Sequence, residues 1–193
     1  MTKHHSSSHN RKISPVVLTV TLDIPAPTAR LNADWEREIA LQLFLEPGDV
    51  EVLPLARARL RWSDLSQCVQ TMENWTRAIR LQDVLSSAEM ALMGCRGARY
   101  HNDAELYGDS VFCNLFLSEE KGLDLHFPDI GLLIPLTRGT AVIFDTGQTH
   151  AVIKRSSNGF DVTDFPLGSD CSLVFLTWEL PIGNPSVTHI LSN

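Results

Sequence analysis

The segment Tyr100-His101-Asn102-Asp103 places an imidazole and a carboxylate two residues apart, with further acids at Glu105 and Asp109. In an extended chain residues i and i+2 point the same way, so both side chains can reach one divalent cation without unusual backbone geometry. The bland alternative is a polar strand edge carrying a surface ion pair. With seven histidines in 193 residues, about 0.5 His-x-Asp pairs are expected by accident, so the pair needs company. A second isolated histidine, His150, follows Asp103 after 46 residues and opens an apolar run. Before it come a turn from Pro135 to Gly139, an apolar stretch ending in Phe144 and Asp145, and a polar loop. Alone, His150 reads as a satisfied core histidine. His126, together with Asp124, is the competing ligand pair, ranked second because its acid precedes the histidine and little chain separates it from His150.

The elements that must position these residues are legible as patterns. The run from Val16 to Ile24 alternates β-branched and polar residues and predicts a strand. Asn32 is a possible N-cap for a helix that stops at Pro47 and Gly48. The next run, VEVLPLARARLRW, returns to period two and reads as a strand with Arg57, Arg59 and Arg61 on one face. From Ser63 to about Met93 apolar residues recur at three and four, which predicts one long helix, or two with a break near Arg80. Trp75 in that stripe is core packing, because a helix lying on a sheet needs an apolar face. Beyond Gly94 the chain breaks into short β-rich runs separated by turns, and no linker or repeat divides it. The expected fold is α+β, with N-terminal supporting helices at about 33–93 buttressing a β core at about 98–181, in a single domain over 13–193.

Composition narrows the function. A net charge of −7 and a pI near 5.4 argue against a nucleic-acid partner. No apolar run is long enough to span a bilayer, so a soluble protein with no membrane partner is expected. Four widely spaced cysteines without a Cys-x-x-Cys fit a reducing cytoplasm. The opening MTKHHSSSHNRK reads as a disordered or appended arm over residues 1–12, with His4, His5 and His9 unrelated to a native site. There is no Gly-x-Ser-x-Gly elbow for serine chemistry.

The joint order of His101, Asp103, the Pro135–Gly139 turn, the Phe144–Asp145 strand end and His150 resembles the Fe(II)- and 2-oxoglutarate-dependent oxygenases of the double-stranded β-helix, or jelly-roll, class. The resemblance covers roughly Tyr100 to Leu180, with SLVFLTWEL similar to the last core strand. It implies that His101, Asp103 and His150 are both the metal ligands and the catalytic centre. Two neutral imidazoles and one carboxylate occupy one face of an octahedral iron and leave three positions for a bidentate 2-oxo acid and O2. The implied activity is hydroxylation of a small molecule or a protein side chain, a small-molecule or peptide partner, with release of succinate and CO2.

One position departs from the resemblance. Where members of the class carry a Gly-x-Arg-x-Ser pattern whose arginine holds the far carboxylate of 2-oxoglutarate, the best alignment is Gly168 to Ser172, which puts Asp170 at the arginine. An acid there is expected to repel the cosubstrate. The clamp then comes from elsewhere, with Arg155 favoured over Lys154 because a planar guanidinium suits a carboxylate; Arg99 and Arg138 flank the motif elements. A misregistered motif across 156–168, forming a lid, and a protein that does not use 2-oxoglutarate are the other readings. Asn114 and Ser172 are further candidates for cosubstrate contacts, Asn114 because it interrupts an apolar strand. The alternative function is a cupin-like metal-binding or sensor module on the same fold, without turnover.

Overall fold

A computed structural model describes residues 11–42, 46–166 and 168–192. The first ten residues of the expected arm lie outside the described residues. Among the described residues ten strands form two antiparallel sheets. The larger contains β1 (Val17–Thr21), β2 (Val50–Leu53), β3 (Met90–Cys95), β5 (Ser110–Phe116), β8 (Thr140–Asp145) and β10 (Leu173–Pro181), in the order β1-β8-β5-β10-β3-β2. The smaller contains β4 (Ala98–His101), β6 (Leu123–Phe127), β7 (Leu132–Pro135) and β9 (His150–Lys154), in the order β4-β9-β6-β7. Strands β3 to β10 thus lay β3-β10-β5-β8 against β4-β9-β6-β7, which is the double-stranded β-helix. β1 and β2 extend the larger sheet at its two edges.

The strands alternate between two cores. On β5, Val111, Cys113 and Leu115 join the cluster under the helices, while Phe112 and Phe116 join the cluster between the sheets. On β10, Val174, Leu176, Trp178 and Leu180 take the first side and Leu173 and Phe175 the second. This alternation turns SLVFLTWEL, apolar almost throughout, into a strand buried on both faces. The helical layer is α1 (Ala29–Arg37), continued by one π-turn, then α2 (Leu55–Arg61) and α3 (Leu65–Ala78). Trp35, Ile39, Ala58, Cys68 and Met72 carry it onto the larger sheet. A short helix, α4 (Ala104–Tyr107), leads from β4 toward β5, and α5 (Pro185–Leu191) closes the chain.

Several local expectations are corrected. The first helix starts at Ala29, capped by Thr28, whose hydroxyl accepts from the Leu31 amide at 3.3 Å, rather than at Asn32. The strand expected through Arg57, Arg59 and Arg61 ends at Leu53. Pro54 stops it, and Leu, Ala and Arg, all strong helix formers, build α2 instead. The break near Arg80 is present: Arg80 takes φ 69°, and the Leu81 amide returns to the Thr76 carbonyl at 2.8 Å, a left-handed helix stop. No second helix follows. Asp83 is left-handed as well, at φ 58°, and Met90–Cys95 is a strand inserted between β10 and β2. Its helix-like spacing lost to sheet pairing on both sides. The turn at Gly139 is as expected, and its glycine is required: at φ 87° a Cβ would stand 1.9 Å from the Leu22 carbonyl oxygen.

Leu176 is fully buried where the helices meet β10. Truncation to alanine is expected to cost about 2–5 kcal/mol in urea unfolding. A loss below about 1 kcal/mol would show that the helices do not seal this face of the sheet.

Candidate metal centre

His101 ends β4 directly across from His150, the first residue of β9. Asp103 lies just beyond the end of β4, with φ −106° and ψ 16°, so it is not simply the next same-face position of an extended strand. Its amide donates to the Thr146 carbonyl at 2.8 Å. Its carbonyl accepts from Tyr107 at 2.8 Å as α4 begins. The carboxylate is thereby held against both imidazoles: Asp103 Oδ2 is 3.8 Å from His101 Nε2 and 3.7 Å from His150 Nε2. The two rings are 4.3 Å apart, and one donor atom from each of the three residues lies within 4.8 Å of the others.

The hydrogen bonds behind the rings define which nitrogens face inward. His101 Nδ1 is 2.6 Å from the Arg99 carbonyl, and His150 Nδ1 is 3.0 Å from the Gln148 carbonyl. A carbonyl only accepts, so each Nδ1 donates to it and each Nε2 is the nitrogen turned to the carboxylate, the one that carries the lone pair in a neutral ring. Three side chains that can each offer a lone pair to a cation therefore converge. Burial pushes the His150 imidazole down to about 4, with repulsion from His101 adding and the Gln148 bond opposing. It is neutral at pH 7, as a ligand must be. Burial also raises the Asp103 carboxyl, while His101 pulls it the other way. The residues fit an ion that takes imidazole and carboxylate, such as Fe(II), and no thiolate joins them. Phe144 and Phe127 wall the buried side of His150, with ring centres 4.8 and 6.0 Å away.

A network that sequence reasoning missed ties the two ligand-bearing segments together. The Thr146 hydroxyl donates toward the Tyr107 and Ser110 carbonyls at 2.7 and 2.9 Å. Asp145, fully buried, accepts from both terminal nitrogens of Arg11, from the Ser14 amide and from the Gly147 amide. Arg11 Nε donates to the Gly108 carbonyl at 2.7 Å. Arg11, expected within a disordered arm, thus bridges the turn before His150 and the turn after α4. Only the intervening fold reveals this, since 134 positions separate Arg11 from Asp145.

The remaining sequence candidates are placed elsewhere, with one exception. Arg155 follows β9 and donates from Nε to Asp124 at 2.7 Å, with Glu120 at 3.1 Å; its strand parity is opposite to that of His150, so it does not face the triad. Ser172 lies between inward Cys171 and Leu173 and so faces away from the space between the sheets. Asp170 is exposed and paired with Lys121, so the expected repulsion of a cosubstrate does not arise. The motif alignment was out of register with the strand. Lys154 keeps the parity of His150 but is half exposed, with Asp164 at 4.0 Å; Arg99 pairs with Asp49 and Arg138 with Glu119. Residues 156–166 do not form a free lid: Phe165 is buried between the sheets, stacked on Phe160, and Arg96 donates to the Phe165 and Pro166 carbonyls. His126 turns to the outer face and meets the Tyr100 hydroxyl at 2.7 Å. Of the cosubstrate candidates Arg155, Asn114 and Ser172, only Asn114 shares the strand face of Phe112 and Phe116, which is turned to the space between the sheets.

No protein-family model and no curated sequence matches the chain. Among solved structures it is similar to a prolyl-4-hydroxylase of Pseudomonas putida, at 18% identity over 86% of this chain and 92% of that one, with a TM-score of 0.49. It is also similar to a viral collagen prolyl hydroxylase of Paramecium Bursaria Chlorella virus-1, at 10% identity over 86% and 89% of the two chains, with a TM-score of 0.46. A third likeness is to SnoN, a non-heme α-ketoglutarate-dependent epimerase of nogalamycin biosynthesis, at 12% identity over 92% and 83%, with a TM-score of 0.47. At such distances the fold rests on this chain's own strand order, and its chemistry on its own side chains.

Arg11→Ala is expected to weaken Co(II) affinity about 10-fold, the scale of lost support behind metal ligands, and Arg11→Lys to restore part of it. Titration calorimetry measures the site as the difference from His150→Ala, which leaves His4, His5 and His9 in place. Unchanged affinity with a lowered melting temperature would make the bridge structural only.

Proposed function

We propose that this protein is an Fe(II)- and 2-oxoglutarate-dependent oxygenase that hydroxylates a small molecule or a protein side chain, releasing succinate and CO2. The observation that carries this reading is the meeting of two inward-turned Nε2 atoms and one carboxylate in a double-stranded β-helix, both imidazoles oriented by backbone carbonyls. When bound, the iron supplies O2 activation coupled to oxidative decarboxylation of the 2-oxo acid. His101, Asp103 and His150 would hold the metal through two imidazoles and one carboxylate. The carboxylate of Asp103 occupies one of the three protein positions, so the site is not built to take a halide there.

The walls of the site divide its tasks. His150 and the Phe127 and Phe144 rings exclude water from the inner side. The side chains of His101 and Asp103 stay 34% and 21% exposed, and substrate approach is assigned to their side. The four cysteines are free and buried, and burial raises the Cys68, Cys95 and Cys113 thiols, which supports a reducing, cytoplasmic setting and no nucleophilic role. Among the described residues no helix is long and apolar enough to cross a membrane. The acidic balance supports a substrate other than nucleic acid.

A specific observation favours a second reading, a metal-binding or sensor module without turnover: of the described strand positions facing between the sheets, Lys154 alone is basic, and it leans toward Asp164. One measurement separates the two. Anaerobic addition of 2-oxoglutarate to Fe(II)-loaded protein is expected to produce the visible charge-transfer band of a chelated 2-oxo acid, absent in His150→Ala. Metal binding without the band would favour the sensor.

A further inference from the structure

At the level of the metal donors, the larger sheet carries a row of side chains that ends in two acids. Phe144, whose ring centre is 4.8 Å from that of His150, pairs with Phe112 of β5, and Phe112 pairs with Glu179 of β10. Trp178 and Leu180 turn to the helices, so Glu179 between them turns toward the smaller sheet, as Phe112 does. One step beyond the Trp178–Met90 pair, the Glu179 amide donates to the Glu89 carbonyl at 3.3 Å, which sets the two acids side by side. Tyr107, whose amide is bonded to Asp103, packs on Phe112 with ring centres 5.1 Å apart. Glu179 thus stands one strand spacing, about 5 Å, from the residue whose ring touches the walls of the triad on both sides.

No cation of the chain answers these acids. Among the described residues neither Glu179 nor Glu89 has a salt bridge or a side-chain hydrogen bond. β3, β5, β8 and β10 carry no Lys or Arg. Arg11 is engaged by Asp145, which shares the helix-side face of Val111. Arg96 lies at the opposite end of β10, donating to the Phe165 and Pro166 carbonyls. Glu179 is nevertheless half-buried, and burial raises its carboxyl, with Glu89 adding to the effect. Asn114 gives an independent sign. It lies diagonal to Glu179 on the same face, is 6% exposed, and its Oδ1 is fully buried with no partner among the described residues. An orphaned acceptor is costly until an N–H or O–H reaches it. Acids and amide oxygen therefore favour the same kind of ligand, one that donates, and the rings of Phe112 and Tyr107 suit a cation. Past the acids the face is apolar: Ala91 and Met93 are half-buried, and Val52, paired with Met93, is 61% exposed. The smaller sheet has no strand opposite β2, so this strip stays open.

We propose that the substrate oxidised at this centre is an organic cation, a primary amine or a guanidinium on an apolar stem, whose charged end is held by Glu179 with Glu89 beside it. This rests on the reading of the triad as an oxygenase centre, and it names the substrate class of that same site. The stem lies along Ala91 and Met93, and the net charge of −7 favours the approach of such a molecule.

The test uses full-length Fe(II)-loaded protein with saturating 2-oxoglutarate and no O2, and the probes pentylamine, pentylguanidine, pentanol and pentanoate. Calorimetry gives the affinities, and a shift of the charge-transfer band reports arrival beside the metal. Both cations are expected to bind at least about 5-fold tighter than pentanol, the scale of one partly exposed ion pair, and pentanoate more weakly than pentanol. Glu179→Gln is expected to remove that preference and to leave pentanol binding and the unshifted band as they were. Glu179→Lys is expected to reverse it toward pentanoate. Nα-acetyl-lysine methylamide separates two sources of the same chemistry: binding tighter than pentylamine supports a peptide lysine, and equal or weaker binding supports a free amine. Cations that bind no tighter than pentanol, or a preference that survives Glu179→Gln, overturn the inference and leave the oxygenase reading standing. Absence of the band with 2-oxoglutarate overturns the oxygenase reading itself.

Discussion

The site depends on one pairing at a sheet edge: β4 against β9, with His101 directly across from His150. β4 is a four-residue edge strand whose register shifts between Ala98 and His101, and by itself such a strand is weakly specified. Its far end is fixed from outside the sheet. The Asp103 amide is held by Thr146, Thr146 is held by Tyr107 and Ser110, and the turn that contains it is held through Asp145 by Arg11. The two halves of the donor set are thus tied to each other by hydrogen bonds. A donor set assembled from two loosely joined strands would hold a metal poorly, since donor atoms must stand within a few tenths of an ångström of their places.

The same arrangement explains what the sequence made legible. His101, Asp103 and His150 were readable because their residue types are unusual in an apolar β run and because the turn, strand and loop before His150 have their own signatures. Patterns of period two and period 3.6 located β1 and α3, and separated a helical first half from a β-rich second half. They failed where a stretch satisfied both periods. Alternating arginines at 57, 59 and 61 scored as a strand, yet the residues between them are Ala58 and Leu60, and a proline stood at the boundary. Met90–Cys95 had apolar residues at helical spacing, but it fills the slot between β10 and β2, where both neighbours supply backbone partners. Arg155 was chosen for its chemistry near His150, and one residue of strand parity turns it away.

Asp170 shows why a motif cannot be aligned on spacing alone. In the linear chain it occupies the place of a cation, which suggested a site hostile to anions. In the fold it is a surface acid paired with Lys121, and the strand it precedes presents Leu173, Phe175 and Thr177 to the interior. These three positions of the inner face are therefore not acidic, and that changes the question from what repels a ligand to what is left to recognise one.

A neutral polar layer has a physical consequence for specificity. An ion pair reads charge at a distance and tolerates small misplacement, whereas hydrogen bonds read position and fall off within a few tenths of an ångström. Hydrogen bonds offered from a polar layer such as Asn114 and Thr177 therefore depend on that layer being rigid. The packing supplies that rigidity: Phe112 and Phe144 lie on one side, Phe116 and Phe175 on the other, and Val142 abuts directly. Phe144, whose ring lies against His150, thus also belongs to the packing that frames Asn114 and Thr177, so that one set of rings dries the inner side of the candidate site and fixes the polar layer behind it.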